Sequence, residues 1–177
     1  MTFARIRAIA IVSVLVVAAL VFVAAAILRD NQTGGVASGC PKDAVLADTR
    51  LPDETSKVKI NIYNATDHPG LANQAKVDLT NRQFTVVNTG NDPKGKRVDQ
   101  VAVLRYGPKA VGKAWLLRAY FLDQATPEFD INRKDDLVDV VLGSQYKQPA
   151  TITEFHQALA QLGNPTLPKG TCDMNAR

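Results

Sequence analysis

Cysteine and histidine are scarce, with two of each in 177 residues. Cys40 and Cys172 stand far apart, as do His68 and His156, and no C-x-x-C or H-x-x-x-H spacing occurs. That excludes the common zinc patterns. The glycines complete neither a G-x-G-x-x-G fingerprint nor a P-loop. No D-x-D-x-D-G calcium loop is present, and no G-x-S-x-G elbow surrounds Ser144, the serine best placed to follow a strand. Charge of one sign is also lacking: the net is +4. Arg5, Arg7, Arg29 and Asp30 account for +2 of it, leaving the remainder only +2. Such weak basicity does not suggest nucleic acid as a partner. No metal, cofactor or catalytic residue is expected.

One feature is abundant. Residues 8–28 read AIAIVSVLVVAALVFVAAAIL, uncharged throughout, with Ser13 the only polar side chain. As a helix this length spans the roughly 30 Å hydrocarbon core of a bilayer. A cleaved signal has an apolar stretch of about 7–15 residues, so the longer run favours an uncleaved signal-anchor. A lipidated Cys40 would have to follow the run directly, and a polar spacer intervenes. Arg5 and Arg7 precede the run, while Arg29 and Asp30 after it cancel. The positive-inside rule then predicts a cytoplasmic tail at 1–7, a single span at 8–28 and a main domain outside. Residues 29–39, ending in NQTGGVASG, have linker composition. Residues 40–177 suffice for one small domain with its own core. Outside a membrane the redox compartment permits a Cys40–Cys172 disulfide closing nearly the whole domain.

Within that domain, 57–63 (KVKINIY) alternates apolar and polar residues as a half-covered strand does. A turn over 64–70 precedes a helix at 71–82, with Pro69 fitting a first helical position. Residues 84–87 (FTVV) predict a strand and 88–97 (NTGNDPKGKR) a hydrophilic loop. The apolar 101–104 mark 98–106 as a central strand. Pro108 opens a helix at 109–122 that places Val111, Trp115, Leu116, Ala119 and Leu122 on its core side. The polar 125–136 reads as turn, 137–142 (LVDVVL) as strand, and 152–162 as a last helix. Thr151 and Glu154 supply a capping box for it and Gly163 a stop. Residues 42–56 form an arm of undecided structure, and 169–177 a polar tail held only by Cys172. The order β-α-β-β-α-β with a C-terminal helix predicts a small α/β sandwich, helices covering one face of a mixed sheet.

Two strand-to-helix turns, 64–70 and 107–108, expose amides that suit an anionic group. Together with the 88–97 loop they define a candidate binding rim: Asn64, Thr66, Gly70, Asn88, Lys94, Lys96, Arg97, Tyr106 and Lys109. It forms one surface if these loops share a sheet end.

The strings VKINIYNAT at 58–66, GLA at 70–72, FTVV at 84–87, VLRYG at 103–107 and VVLG at 140–143 resemble the LytR C-terminal domain family over about 57–146. The resemblance implies a cell-envelope location and a non-catalytic role: binding a wall polymer such as a peptidoglycan-linked glycopolymer, or an envelope-assembly protein. In that family the domain often accompanies a LytR-CpsA-Psr catalytic domain that attaches glycopolymers, and this chain carries no such domain. An accessory role beside such a ligase is the alternative, and hydrolase or transferase activity a more distant one. The resemblance names no ligand residues.

Overall fold

The computed structural model describes residues 12, 13, 15–22, 40, 41 and 43–175. It divides the chain into two units, Met1–Gly39 and Cys40–Arg177. In the first, residues 12–13 and 15–22 are helical. Their large apolar side chains point outward, from Val16 at 52% exposed to Phe22 at 77%. Among the described residues no helix is long and apolar enough to cross a membrane. The expected tail at 1–7, the linker at 29–39 and about half of the run at 8–28 lie outside the described residues.

The second unit runs β1 (Val45–Ala47), β2 (Lys59–Asn64), α1 (Leu71–Asn81), β3 (Thr85–Asn91), β4 (Ala102–Tyr106), α2 (Val111–Tyr120), β5 (Ala125–Phe129), β6 (Val138–Leu142), α3 (Ile152–Leu162) and β7 (Thr171–Asp173). The main sheet has the order β3-β2-β6-β4-β5. β2 lies parallel to both β3 and β6, β4 parallel to β5, and β4 antiparallel to β6. The fold is thus the expected mixed α/β sheet, assembled from two β-α-β units joined through β6.

Alternation decides the faces. Ile60, Ile62, Leu104, Val138, Val140 and Leu142 are fully buried and pack with Ala72, Ala75 and Leu79 of α1 and Ala114 and Leu117 of α2. The intervening residues carry polar chemistry: register sets Asn88, Asn61, Asp139, Arg105 and Glu128 in one row across the five strands. α3 joins the core through Phe155, whose ring stacks on Tyr120 at 4.1 Å. Both arms of its Thr151–Glu154 capping box are made, with Gly163 as C-cap.

Several expectations need correction. The segment at 125–136 is not all turn, because β5 occupies its first five residues as an edge strand, where Pro127 removes no required ladder bond. β3 continues four residues past the FTVV string, and a bulge opposite Ile60 and Asn61 accommodates the change of pattern. α1 begins at Leu71 with Gly70, at φ 83°, as its cap, so Pro69 precedes the helix. Leu122 is 41% exposed at a positive φ, outside the core. Trp115 is half-buried and spans two helices: its Nε1 donates to the Gly163 carbonyl at 2.9 Å, under the Arg118 guanidinium.

The arm and tail become a second sheet. β1 pairs in parallel with β7, and Cys40 is bonded to Cys172 as expected. The arm is strapped to the start of α2 by the Asp48 amide donating to the Pro108 carbonyl and the Gly112 amide to the Asp48 carbonyl, both at 2.9 Å. A Cβ on Gly112 would sit 1.9 Å from the Arg50 carbonyl oxygen, so only glycine admits the arm this closely.

Candidate functional site

The topology divides the expected rim between two ends of the sheet. Because β4 runs antiparallel to β6, its C-terminal end lies opposite the C-terminal ends of β2, β3 and β6. Asn64, Thr66 and Gly70 therefore lie with Lys94, Lys96 and Arg97 on the β2–β3 side, Asn88 sits within β3 opposite Asn61, short of that end, and Tyr106 and Lys109 stand at the far end. One continuous surface is not formed, and the local sequence patterns that placed the loops held no information on strand order.

At the Asn64 end, a depression of about 230 Å³ is lined by Asn64, Thr66, Asp67, Asp92, Lys96 and Arg97, among others. Asn64 is buried and spends its side chain on the loop itself. Its Nδ2 donates to the His68 carbonyl at 2.7 Å, and its Oδ1 accepts from the Thr66 amide at 3.0 Å and hydroxyl at 2.8 Å. Thr66 Oγ1 in turn accepts the His68 amide at 3.1 Å. Both residues hold the turn that delivers Gly70 to α1. Asn88 uses its Oδ1 on the Thr89 amide.

Most of the cations here are matched. Lys94 pairs with Glu128, and Arg97 with Asp67 and, at 3.5 Å, Asp99. Lys96 makes no ion pair among the described residues. Asp92, whose side chain is 1% exposed, receives Arg105 in a fork, 2.6 Å to Oδ1 and 3.1 Å to Oδ2. Burial works to raise the Asp92 pKa, but Arg105 and then Lys94 hold it below the ordinary 3.8. Arg105 Nε also donates to Glu128 at 3.0 Å, and Lys94 chiefly keeps that carboxyl below its ordinary 4.5. Further along, Asp139 accepts Arg133 in a second fork and the Asn61 amide at 2.7 Å. Sequence reading missed Arg105, Asp92, Arg133 and Asp139 as a network. The i, i+2 alternation of Val103 and Arg105 in an otherwise apolar strand was the available signal.

At the far end, Tyr106 is buried against Phe129 and burial raises its pKa, so its ring is core. Lys109 opens onto a cleft of about 460 Å³ between the arm and the start of α2, whose charged walls are Asp48, Arg50, Asp53, Lys57, Lys109 and Lys113. Arg50 forks Asp48 with Nε and Nη2, at 3.0 and 3.1 Å, which lowers the Asp48 pKa. Lys113 Nζ donates to Asp136 Oδ2 at 2.6 Å and to its carbonyl at 3.1 Å, and this bond holds the Asp136 carboxyl low. The Gly112 amide, in the first turn of α2, is taken by the arm.

Among the described residues no group of three or more His, Cys, Asp or Glu is placed to hold a metal ion. Residues 57–146 match the family described as LytR cell envelope-related transcriptional attenuator, the LytR C-terminal domain. The chain belongs to that family. It is 27% identical over 172 residues to the cell envelope integrity protein Cei of Mycobacterium tuberculosis, covering 88% of this chain and 79% of that one. It also resembles the crystal structure of the soluble domain of a conserved hypothetical secreted protein from Mycobacterium marinum. The TM-score is 0.52 and the identity 25%, over 76% of this chain and 84% of that one. The five-stranded sheet with α1 and α2 is the part that the family match spans.

Proposed function

We propose that this LytR C-terminal domain protein is a non-catalytic envelope component, tethered by a single span at 8–28 with the 40–177 domain outside, that binds a wall polymer or an assembly partner. The observation that carries the reading is the family match over 57–146 behind an uncharged run long enough to span a bilayer. Kinship to a protein named for envelope integrity supports it, as does a disulfide suited to an oxidising compartment. The chemistry agrees. Arg105 holds the Asp92 carboxyl, and Lys94 with Arg105 the Glu128 carboxyl, below its ordinary pKa, whereas acid–base catalysis wants a carboxyl tuned towards neutral pH.

A reporter fused after the last residue should be active only outside the cytoplasm. Membranes carrying the full chain should then retain isolated peptidoglycan–glycopolymer saturably, without turning it over. Activity of the reporter inside overturns the topology. Wall material left unbound, with one specific protein crosslinked instead, favours the accessory role beside a glycopolymer ligase. Turnover overturns the non-catalytic reading.

A further inference from the structure

We propose that the cleft between the arm and the start of α2 is a phosphate-binding site, holding a phosphate group with Arg50, Lys57, Lys109 and Lys113. The inference deepens the envelope reading and rests on it for the source of the phosphate. Those four cations come from the arm, the short turn before β2, the turn before α2 and the first turn of α2, and they line one concavity of about 460 Å³ against two carboxylates, Asp48 and Asp53. The depression at the Asn64 end has two of each sign, Lys96 and Arg97 against Asp67 and Asp92. The excess of cation on cavity walls therefore lies at the Lys109 end.

The four are not equally committed. Lys113, only 18% exposed at its side chain, is anchored on Asp136 and forms a fixed positive wall. Arg50 engages Asp48 through Nε and Nη2 and has no hydrogen bond from Nη1 among the described residues. Lys57 meets Glu54 at 3.6 Å with both side chains more than half exposed, a pair worth little and easily exchanged. Lys109 makes no ion pair among the described residues. A single carboxylate would satisfy one or two of these groups. A phosphate presents more acceptor oxygens and up to two charges, and arginine and lysine together are the usual partners of that geometry. The arm completes the site: without residues 48–53 the cleft loses Arg50 and one wall, so the Cys40–Cys172 bond and the β1–β7 pairing act on binding as well as on stability.

The test is an amide NMR titration of the full chain in an uncharged detergent with inorganic pyrophosphate. It is run at 150 mM salt, where exposed charges beyond about 8 Å are screened. Expected are saturable shifts centred on residues 50–57 and 109–113. Arg50→Gln/Lys109→Gln should weaken binding about tenfold or more, the scale of losing charge-assisted hydrogen bonds. Lys96→Gln/Arg97→Gln should change it by less than about twofold, the scale of an exposed charge. Asp53→Asn, which removes a cleft carboxylate, should tighten it, an outcome that misfolding cannot mimic. Non-saturating shifts, equal sensitivity to the Lys96/Arg97 variant, or indifference to Asp53→Asn would overturn the site. Wall material tested in parallel separates the two claims. Pyrophosphate bound but wall polymer ignored removes the polymer reading and leaves the cleft. Wall polymer bound equally by the Arg50/Lys109 variant removes the cleft and leaves the polymer.

Discussion

At the end of the sheet that carries Asn64, Arg97 meets Asp67, Lys94 meets Glu128, and the buried Asp92 is forked by Arg105. At the end that carries Lys109, the cleft walls hold Arg50, Lys57, Lys109 and Lys113 against Asp48 and Asp53. Scanned locally, the sequence shows a hydrophilic loop rich in cations at 88–97 and, for the other region, only an arm of undecided structure at 42–56 and a strand-to-helix turn beside Lys109. The difference lies in what folding brings to each. The 92–97 loop reaches across the polar row of the sheet and finds carboxylates on β5 and the β2–α1 turn, so its charge is spent on structure. The arm approaches α2 through main-chain bonds and a glycine contact, so Lys109 keeps no ion pair among the described residues and the cleft walls keep more cations than carboxylates. Charged residues counted along a chain thus say little about a binding surface until strand order shows which of them are already matched.

The sharpest way to break that contrast is Arg105→Met. It strands Asp92, 1% exposed at its side chain, without its partner. Removing one member of a buried pair costs about 3–5 kcal/mol, seen as a lower denaturation midpoint. The double variant with Asp92→Leu should recover most of the loss, since an apolar pair replaces an ion pair of similar volume. The Lys109 cleft should bind pyrophosphate unchanged in whatever fraction stays folded.

Acid attacks the same end by titration and reaches part of that loss. Asp92 and Glu128 both have folded pKa values held below their ordinary 3.8 and 4.5. Their contribution is therefore complete above those ordinary values and is lost as pH falls through the lower, folded ones. Chemical denaturation between pH 7 and pH 3 should show stability flat at first and falling below about pH 4.5. Asp92→Asn, less stable at neutral pH, should show a shallower fall.

At the opposite end the weak point is packing. Gly112→Ala places a methyl 1.9 Å from the Arg50 carbonyl oxygen, against backbone that cannot yield cheaply. Overpacking of this kind costs about 1–3 kcal/mol. The arm should shift, amide exchange should quicken at residues 45–52 and 171–173, and pyrophosphate affinity should drop, while the Asn64 end stays intact.

The elements with strong local pattern were legible. Residues 57–63 alternate because one face of β2 meets α1 and the other does not, and Thr151 with Glu154 announced α3 before any packing was known. β5 was hidden because an edge strand tolerates Pro127 and needs few apolar residues; its register against β4 exists only in the assembled sheet. β1 and β7 are three residues each and gain meaning only from one another and from the disulfide. Asn64 and Tyr106 close strands β2 and β4, and Asn88, expected in a loop, lies within β3. Asn64 and Thr66 hold their own turn, and Tyr106 packs in the core. Lys109 lies at the other end because β6 enters between β2 and β4, parallel to β2 and antiparallel to β4, a long-range choice invisible to a window of ten residues.

The smallest effect sharpens the comparison most. Lys94→Gln and Arg97→Gln remove the two ion-paired cations of the three that marked the 88–97 loop as a candidate site. Both side chains are at least half exposed, and so are Asp67 and Asp99, while Glu128 keeps a second cation in Arg105. Exposed pairs are worth about 0–1 kcal/mol, since holding two long side chains in place offsets much of the attraction. Each variant should move the denaturation midpoint by little, and in 1 M salt, where screening acts within about 3 Å, by less still. A larger loss would mean that the loop's hold on the sheet depends on these pairs and not on Asp92 alone. A loss of wall or pyrophosphate binding without loss of stability would return the binding surface to the Asn64 end. Stability and binding both unchanged is the result expected if the ligand sits at the Lys109 cleft, whose walls carry four cations against two carboxylates while the Asn64 depression carries two of each.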